Sequence, residues 1–224
     1  MLRHFAEELD DLRSRLLEMS GLVEDALGHS VQVLLAKNEA HAPQVLLNEA
    51  RINQMQLEID ERATRLLALQ TPVASDLRTI MAAIKINHDL ERMGDIAVRI
   101  TERSVSLLRE EMIGEPPIDI PRLAKLAQSM VRQSLDSFAK RDAELARSVL
   151  VSDDAVDELR DAIYEALIGF MQADARNVRP GISLMFVARS LERLADHATN
   201  IAEDVLFLVE GVDVRHHAAM RQDS

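Results

Sequence analysis

Apolar residues recur at three- and four-residue spacings along most of the chain, the period of an α-helix that buries one stripe. Breakers interrupt this pattern at Asn38 to Pro43, Thr71-Pro72, Gly114 to Pro121, Arg141-Asp142, Asn177 to Gly181 and Gly211. Six helices are predicted between them, near 5–37, 43–69, 74–112, 121–140, 143–172 and 180–210. Pro43, Pro72, Pro121 and Pro180 suit a first helical position, where the N–H they lack would have no helical partner. Gly211 suits the left-handed residue that closes a last turn. The third segment, about 39 residues long at about 1.5 Å per residue, would approach 60 Å, which implies an elongated bundle.

The third and sixth segments align at a constant offset of 101. Leu90-Glu91-Arg92-Met93-Gly94-Asp95-Ile96-Ala97 faces Leu191-Glu192-Arg193-Leu194-Ala195-Asp196-His197-Ala198, and Ile100 and Glu102 face Ile201 and Glu203. The chain therefore reads as two halves on one plan, each most simply a three-helix bundle with antiparallel neighbours. The expected fold is all-α, with two tandem, pseudo-symmetric three-helix bundles. The boundaries fall at 1–113 and 121–213, with a proline-stiffened linker at 114–120 and a polar tail at 214–224.

Composition narrows the chemistry. With 3% aromatics and only 7 Gly and 6 Pro in 224 residues, the sequence lacks what a β-rich domain needs. The absence of Cys removes disulfides, thiolate catalysis, zinc fingers and iron–sulfur clusters, leaving carboxylate, amide or imidazole to hold any metal. A net charge of −12 argues against nucleic acid and anionic lipid as partners. The amphipathic, acidic start is not a secretion signal, and no uncharged stretch approaches the roughly 18 residues of a membrane span. The expectation is a soluble, cytoplasmic protein.

The candidate chemistry lies in carboxylate pairs. Glu91 and Asp95 are four apart, so they stack about 6 Å from each other on one helix face. That face continues the apolar line through Ile84, flanked by Leu77, Ile80 and Met81, and Glu192 and Asp196 stand likewise to Met185. An acidic pair on a burying stripe is costly unless a cation or donor compensates it. The second helix of each half offers facing oxygens at the same spacing, Glu49 with Asn53 and Asp153 with Asp157. Glu49 lies 22 residues before Thr71 and Glu91 lies 20 after it, so these pairs should meet at nearly one level. In the second half the match is looser, Asp157 lying 20 before Asn177 and Glu192 15 after. Such oxygen clusters suit hard cations such as Mg²⁺, Mn²⁺ or iron.

Taken singly, acidic pairs at this spacing read as solvated helix surface. Repetition at matched positions of both halves favours metal, with the pairing of Arg92 and Arg193 to acids of a neighbouring helix as the competing structural role. His88 and His197 adjoin the pairs but occupy unmatched positions, and read as structurally satisfied histidines. His216-His217 sits in the polar tail, and the methionines, Met81, Met93, Met130, Met171 and Met185 among them, read as core filler. No Gly-rich phosphate loop, nucleophile elbow or His-Glu-x-x-His motif occurs.

Together the segments Gln70-Thr71-Pro72-Val73-Ala74-Ser75-Asp76-Leu77-Arg78, Asp89 to Ala97 and Leu191 to Glu203 resemble the signature segments of the PhoU family of bacterial phosphate-signalling regulators. Phe5-Ala6-Glu7-Glu8-Leu9 and Leu16-Leu17-Glu18-Met19 are similar too, and the resemblance runs from residue 4 to about 213. It implies two tandem three-helix bundles and no enzymatic activity. The implied role is a cytoplasmic adaptor that negatively regulates the phosphate-starvation response, contacting the ATPase of the phosphate ABC transporter and the sensor histidine kinase. A homodimer is expected. The family's Glu/Asp-x-x-x-Asp motifs, which hold divalent or trivalent ions (Mg, Mn, Fe or Zn), map onto Glu49 with Asn53, Glu91 with Asp95, Asp153 with Asp157, and Glu192 with Asp196.

This chain departs from the pattern in two places. Asn53 stands where an acid is expected, and Arg99 holds the place that Asn200 has in the second repeat, so the second site is expected to be the stronger. Two other functions remain open: a carboxylate-bridged metalloenzyme in a helical bundle, and a purely structural helical scaffold. The first is disfavoured by the lack of any Glu-x-x-His segment.

Overall fold

A computed structural model describes residues 2–69, 72 and 74–214, with side chains from residue 5 onward. Six long helices make up the fold: α1 (Leu2–Leu35), α2 (Ala42–Leu69), α3 (Ala74–Leu107), α4 (Ile120–Lys140), α5 (Ala143–Ala173) and α6 (Val178–Glu210). Short 3₁₀ turns at Glu39–His41 and Ala175–Asn177 lead into α2 and α6. Among the described residues there is no strand. Of the expected breaker at Thr71-Pro72, only Pro72 lies within the described residues; most of the tail, with His216 and His217, lies outside them.

Local chemistry sets the helix ends. The Asp119 carboxylate accepts from the Arg122 N–H at the start of α4, and Asp142 accepts from Leu145 N–H at the start of α5, each satisfying an orphan donor. Gly211 closes α6 in the left-handed region at φ 73°, as the sequence indicates. Pro180 differs from expectation, since α6 begins two residues earlier, at Val178. The third helix is also shorter than expected, ending at Leu107 and not at 112. Beyond it the backbone tightens, with Arg109 and Glu110 N–H groups donating three residues back to Ser106 and Leu107. Asn177 then grips the connector, accepting from Ile113 N–H at 2.9 Å and donating to the Ile113 carbonyl at 3.2 Å.

Each half packs as a three-helix unit, α2 against α1 and α3, and α5 against α4 and α6. The two halves share one continuous core, because α3 packs along α6 and α1 touches α4. Leu90, Met93, Ile100, Leu191 and Leu194 are fully enclosed there. Asp89, buried on α3, accepts from His197 Nδ1 at 2.7 Å and from Asn200 Nδ2 at 3.2 Å, tying α3 to α6. His197 is thus structurally satisfied, as its sequence context suggested. The helices run antiparallel about a pseudo-twofold axis. Lys85 pairs with Asp204 at one end of the seam, and Phe186 and Arg103, at the matching positions of the repeat, stack at the other.

Gly94 sets how closely α2 approaches α3. A Cβ placed there would lie 3.2 Å from Ile52 Cδ1 and 3.3 Å from its Cγ2, inside ordinary packing distance. In the second half Val156 and Ala195, both buried, occupy the corresponding places, trading a methylene on one helix for a methyl on the other. Gly94→Ala gains helix propensity but overpacks against Ile52. Combining it with Ile52→Val should therefore yield a double variant more stable than the two single effects sum to, by about 1 kcal/mol in chemical denaturation. Strict additivity would contradict this packing.

Candidate functional site

Ile52, between Glu49 and Asn53, lies against Gly94, between Glu91 and Asp95, so the two pairs of the first half meet at one level. Asn53 Nδ2 donates to Glu49 Oε1 at 2.5 Å, so the two members of the α2 pair hold each other. Two oxygens at this level are enclosed without a hydrogen-bond donor, Glu91 Oε2 and Asn53 Oδ1. The nearest cation to Glu91 is Arg92, whose Nε stands 3.4 Å from Oε2. Arg92 also reaches Asp95 at 3.4 Å, and Arg99 approaches Asp95 at 3.6 Å. Arg92 thus competes for the acids of its own helix and not for those of a neighbour.

The second half gathers its acids around a cation that the motif reading did not include. Arg160, one turn beyond Asp157 on α5, donates from Nη1 to Asp157 Oδ1 at 2.9 Å and across to Glu192 Oε1 on α6 at 2.7 Å. Its side chain is only 20% exposed, so the bridge is substantially desolvated. Gln56 holds the matching place in the first half. The signal was in the sequence: a residue three positions after Asp157, hence on the same helix face, with a side chain long enough to cross to α6.

Burial and neighbouring carboxylates raise two of the four acids of this half, Asp196 and Asp153. Asp196 has its pKa raised to about 6, first by loss of water around the carboxyl and then by Glu192, Asp153 and Asp157. Asp153 is raised by the same desolvation, then by Asp157, Asp154 and Glu192, against the lowering pull of Arg160. Among the described residues, no three His, Asp or Glu side chains converge as a ready-made metal cage. As placed, a guanidinium bridges the two helices of the second quartet, whereas in the first Arg92 and Arg99 stand beside Glu91 and Asp95 on α3 and two enclosed oxygens keep no donor, the kind a hard cation takes.

The Asp196 shift has a defined sign. With its pKa near 6 in the fold and near 3.8 when unfolded, this carboxyl binds its proton more tightly in the folded chain. It therefore weakens the fold above pH 6, and that penalty is relieved as pH falls from 6 toward 4. In chelator-treated protein, Asp196→Asn should raise the melting temperature at pH 7 and flatten its dependence between pH 4 and 6. An unchanged pH profile would contradict the cluster.

The PhoU domain family model matches residues 16–104 and again 120–205, the two halves in turn. The chain belongs to the PhoU family. A PhoU-family relative from Pseudomonas aeruginosa, a phosphate-specific transport system accessory protein PhoU homolog, is 41% identical over 96% of this chain and 88% of its own length. The corresponding homolog from Zymomonas mobilis is 37% identical over 94% of this chain and 88% of its own. Among solved structures, PhoU from Pseudomonas aeruginosa superposes with a TM-score of 0.89 at 39% identity, covering 93% of this chain and all of that one. The phosphate transport system regulatory protein PhoU from Streptococcus pneumoniae gives 0.83 at 31%, covering 94% and 99%. PhoU membership agrees with the resemblance of the signature segments, and the two-bundle architecture with the expectation drawn from the repeat. Among the described residues, no helix is long and apolar enough to cross a membrane.

Proposed function

We propose that this chain is a cytoplasmic adaptor of phosphate homeostasis that restrains the phosphate-starvation response while phosphate is plentiful. It does so by contacting the ATPase subunit of the phosphate ABC transporter and the sensor histidine kinase, as a homodimer and without catalytic turnover. One observation carries this reading: the match runs through both halves to relatives named as accessory proteins of the phosphate-specific transport system.

In the first half, the metal that the family pattern implies fits beside Glu91 Oε2 and Asn53 Oδ1, the two enclosed oxygens without a donor, with Arg92 and Arg99 competing for the same acids. Glu49, Glu91 and Asp95 supply the carboxylates there and Asn53 a neutral oxygen, once Asn53 releases Glu49. When bound, an ion such as Mg²⁺ or Mn²⁺ supplies charge compensation to those oxygens; the helices themselves fix their level and spacing. In the second half, Asp153, Asp157, Glu192 and Asp196 take an ion only after Arg160 swings out.

Affinity capture tests the adaptor reading. The full chain, immobilised and exposed to extract from phosphate-replete cells of its host, should recover both the transporter ATPase and the kinase. Recovery of neither would overturn it.

A further inference from the structure

The α3–α6 seam opens into two grooves at opposite ends, related by the same offset of 101 that relates the halves, and their chemistry is opposite. In the groove of about 440 Å³, Lys85 stands against Asp89, Glu203 and Asp204 and the wall is net acidic: Lys85 pairs with Asp204 at 2.9 Å, and Asp89 is held by His197 and Asn200. In its counterpart of about 580 Å³, the positions of Asn200, Asp204 and His88 are taken by Arg99, Arg103 and Arg189, and Arg193 completes the wall. Two arginines come from α3 and two from α6, each pair spaced by four residues, so like charges stack on both sides. Arg99 approaches Asp95 at 3.6 Å, and Arg103 lies over the Phe186 ring. Arg103, Arg189 and Arg193 form no ion pair with any described residue.

We propose that this groove binds a short condensed phosphate chain, either free oligophosphate or the phosphate tail of a nucleotide. Its wall carries one acid, Glu102, against four guanidinium groups, a net +3 in a chain whose total is −12. Unrelieved repulsion at that density lowers stability, and an anion that engages both helices relieves it. A guanidinium offers parallel N–H donors that match phosphate oxygens bidentately. Four such forks around a groove of this size exceed what one carboxylate or one phosphate can occupy, and they fit several linked tetrahedral groups. On the rim, Phe186, exposed and lying beneath Arg103, offers an aromatic ring on which a base can stack. This inference stands apart from the adaptor reading, since it specifies what occupies a groove and not what the chain docks upon.

Calorimetric titration of the full chain with tripolyphosphate, ATP and inorganic phosphate tests it. Tripolyphosphate should bind saturably, more tightly than inorganic phosphate, and Arg103→Gln and Arg193→Gln should each weaken it about ten-fold, while Glu102→Gln strengthens it. Equal affinity for ATP and tripolyphosphate places recognition in the phosphate chain alone. Tighter ATP binding that falls to the tripolyphosphate level in Phe186→Leu identifies a nucleotide as the source. The proposal is overturned if tripolyphosphate does not saturate, if both arginine variants bind it like the wild type, or if an oligoglutamate peptide binds more tightly than tripolyphosphate.

Discussion

Deleting the gene for this chain should switch phosphate-starvation genes on in cells supplied with abundant phosphate. An adaptor that restrains a kinase by contact leaves that kinase free when it is lost, so the defect is deregulation and not starvation. Growth at high phosphate should not depend on added phosphate, and a starvation-promoter reporter should read as high as in starved wild-type cells. A variant with Glu91→Gln and Glu192→Gln distinguishes the role of the acidic levels. If it restores repression, those levels serve the stability of the fold; if it does not, they take part in the switch. A reporter that stays silent at high phosphate in the deletion strain would contradict the adaptor reading itself.

The second large effect is expected at Arg160. Replacing it with Gln, the residue that Gln56 contributes at the matching place of the first half, leaves Asp153, Asp157, Glu192 and Asp196 without their cation. Removing one partner from a partly buried charge cluster costs about 2 kcal/mol or more, so chelator-treated Arg160→Gln protein should melt well below the wild type at pH 7. The same change opens four carboxylates to a hard cation. Saturating Mg²⁺ or Mn²⁺, at about a hundred times its dissociation constant, should then return roughly 2.7 kcal/mol, more than it gives the wild type. A variant as stable as the wild type, and no more responsive to metal, would show that Arg160 does not compensate this quartet.

The register of the acidic pairs was legible because short turns fix it: counting outward from Thr71 places Glu49 opposite the Glu91–Asp95 level, and Ile52 indeed packs on Gly94. The repeat was legible because apolar and acidic positions travel together along α3 and α6. Arg160 escaped because an acidic pair is recognised by its own spacing, whereas its compensating charge lies outside the pair. A count of carboxylates likewise leaves out the guanidiniums among them, Arg160 in the second half and Arg92 and Arg99 in the first. The union of the halves into one core was less accessible. Periodicity shows that Ile86, Leu90 and Met93 face inward, but Ala82, Asp89 and Ile96 are buried on a second stripe of α3. That stripe meets α6, and nothing in its mixture of small, acidic and branched residues names the partner helix.

Stoichiometry separates an adaptor from an enzyme most directly. Membranes containing the phosphate transporter and the sensor kinase, supplied with phosphate and ATP, can be titrated with the purified chain while kinase autophosphorylation is followed. Contact regulation gives a decrease that tracks the amount of chain added and saturates near equimolar chain and kinase. Complete suppression by trace amounts, growing with incubation time, would mean that the chain turns over a substrate, and no suppression at any ratio would mean that it does not restrain the kinase.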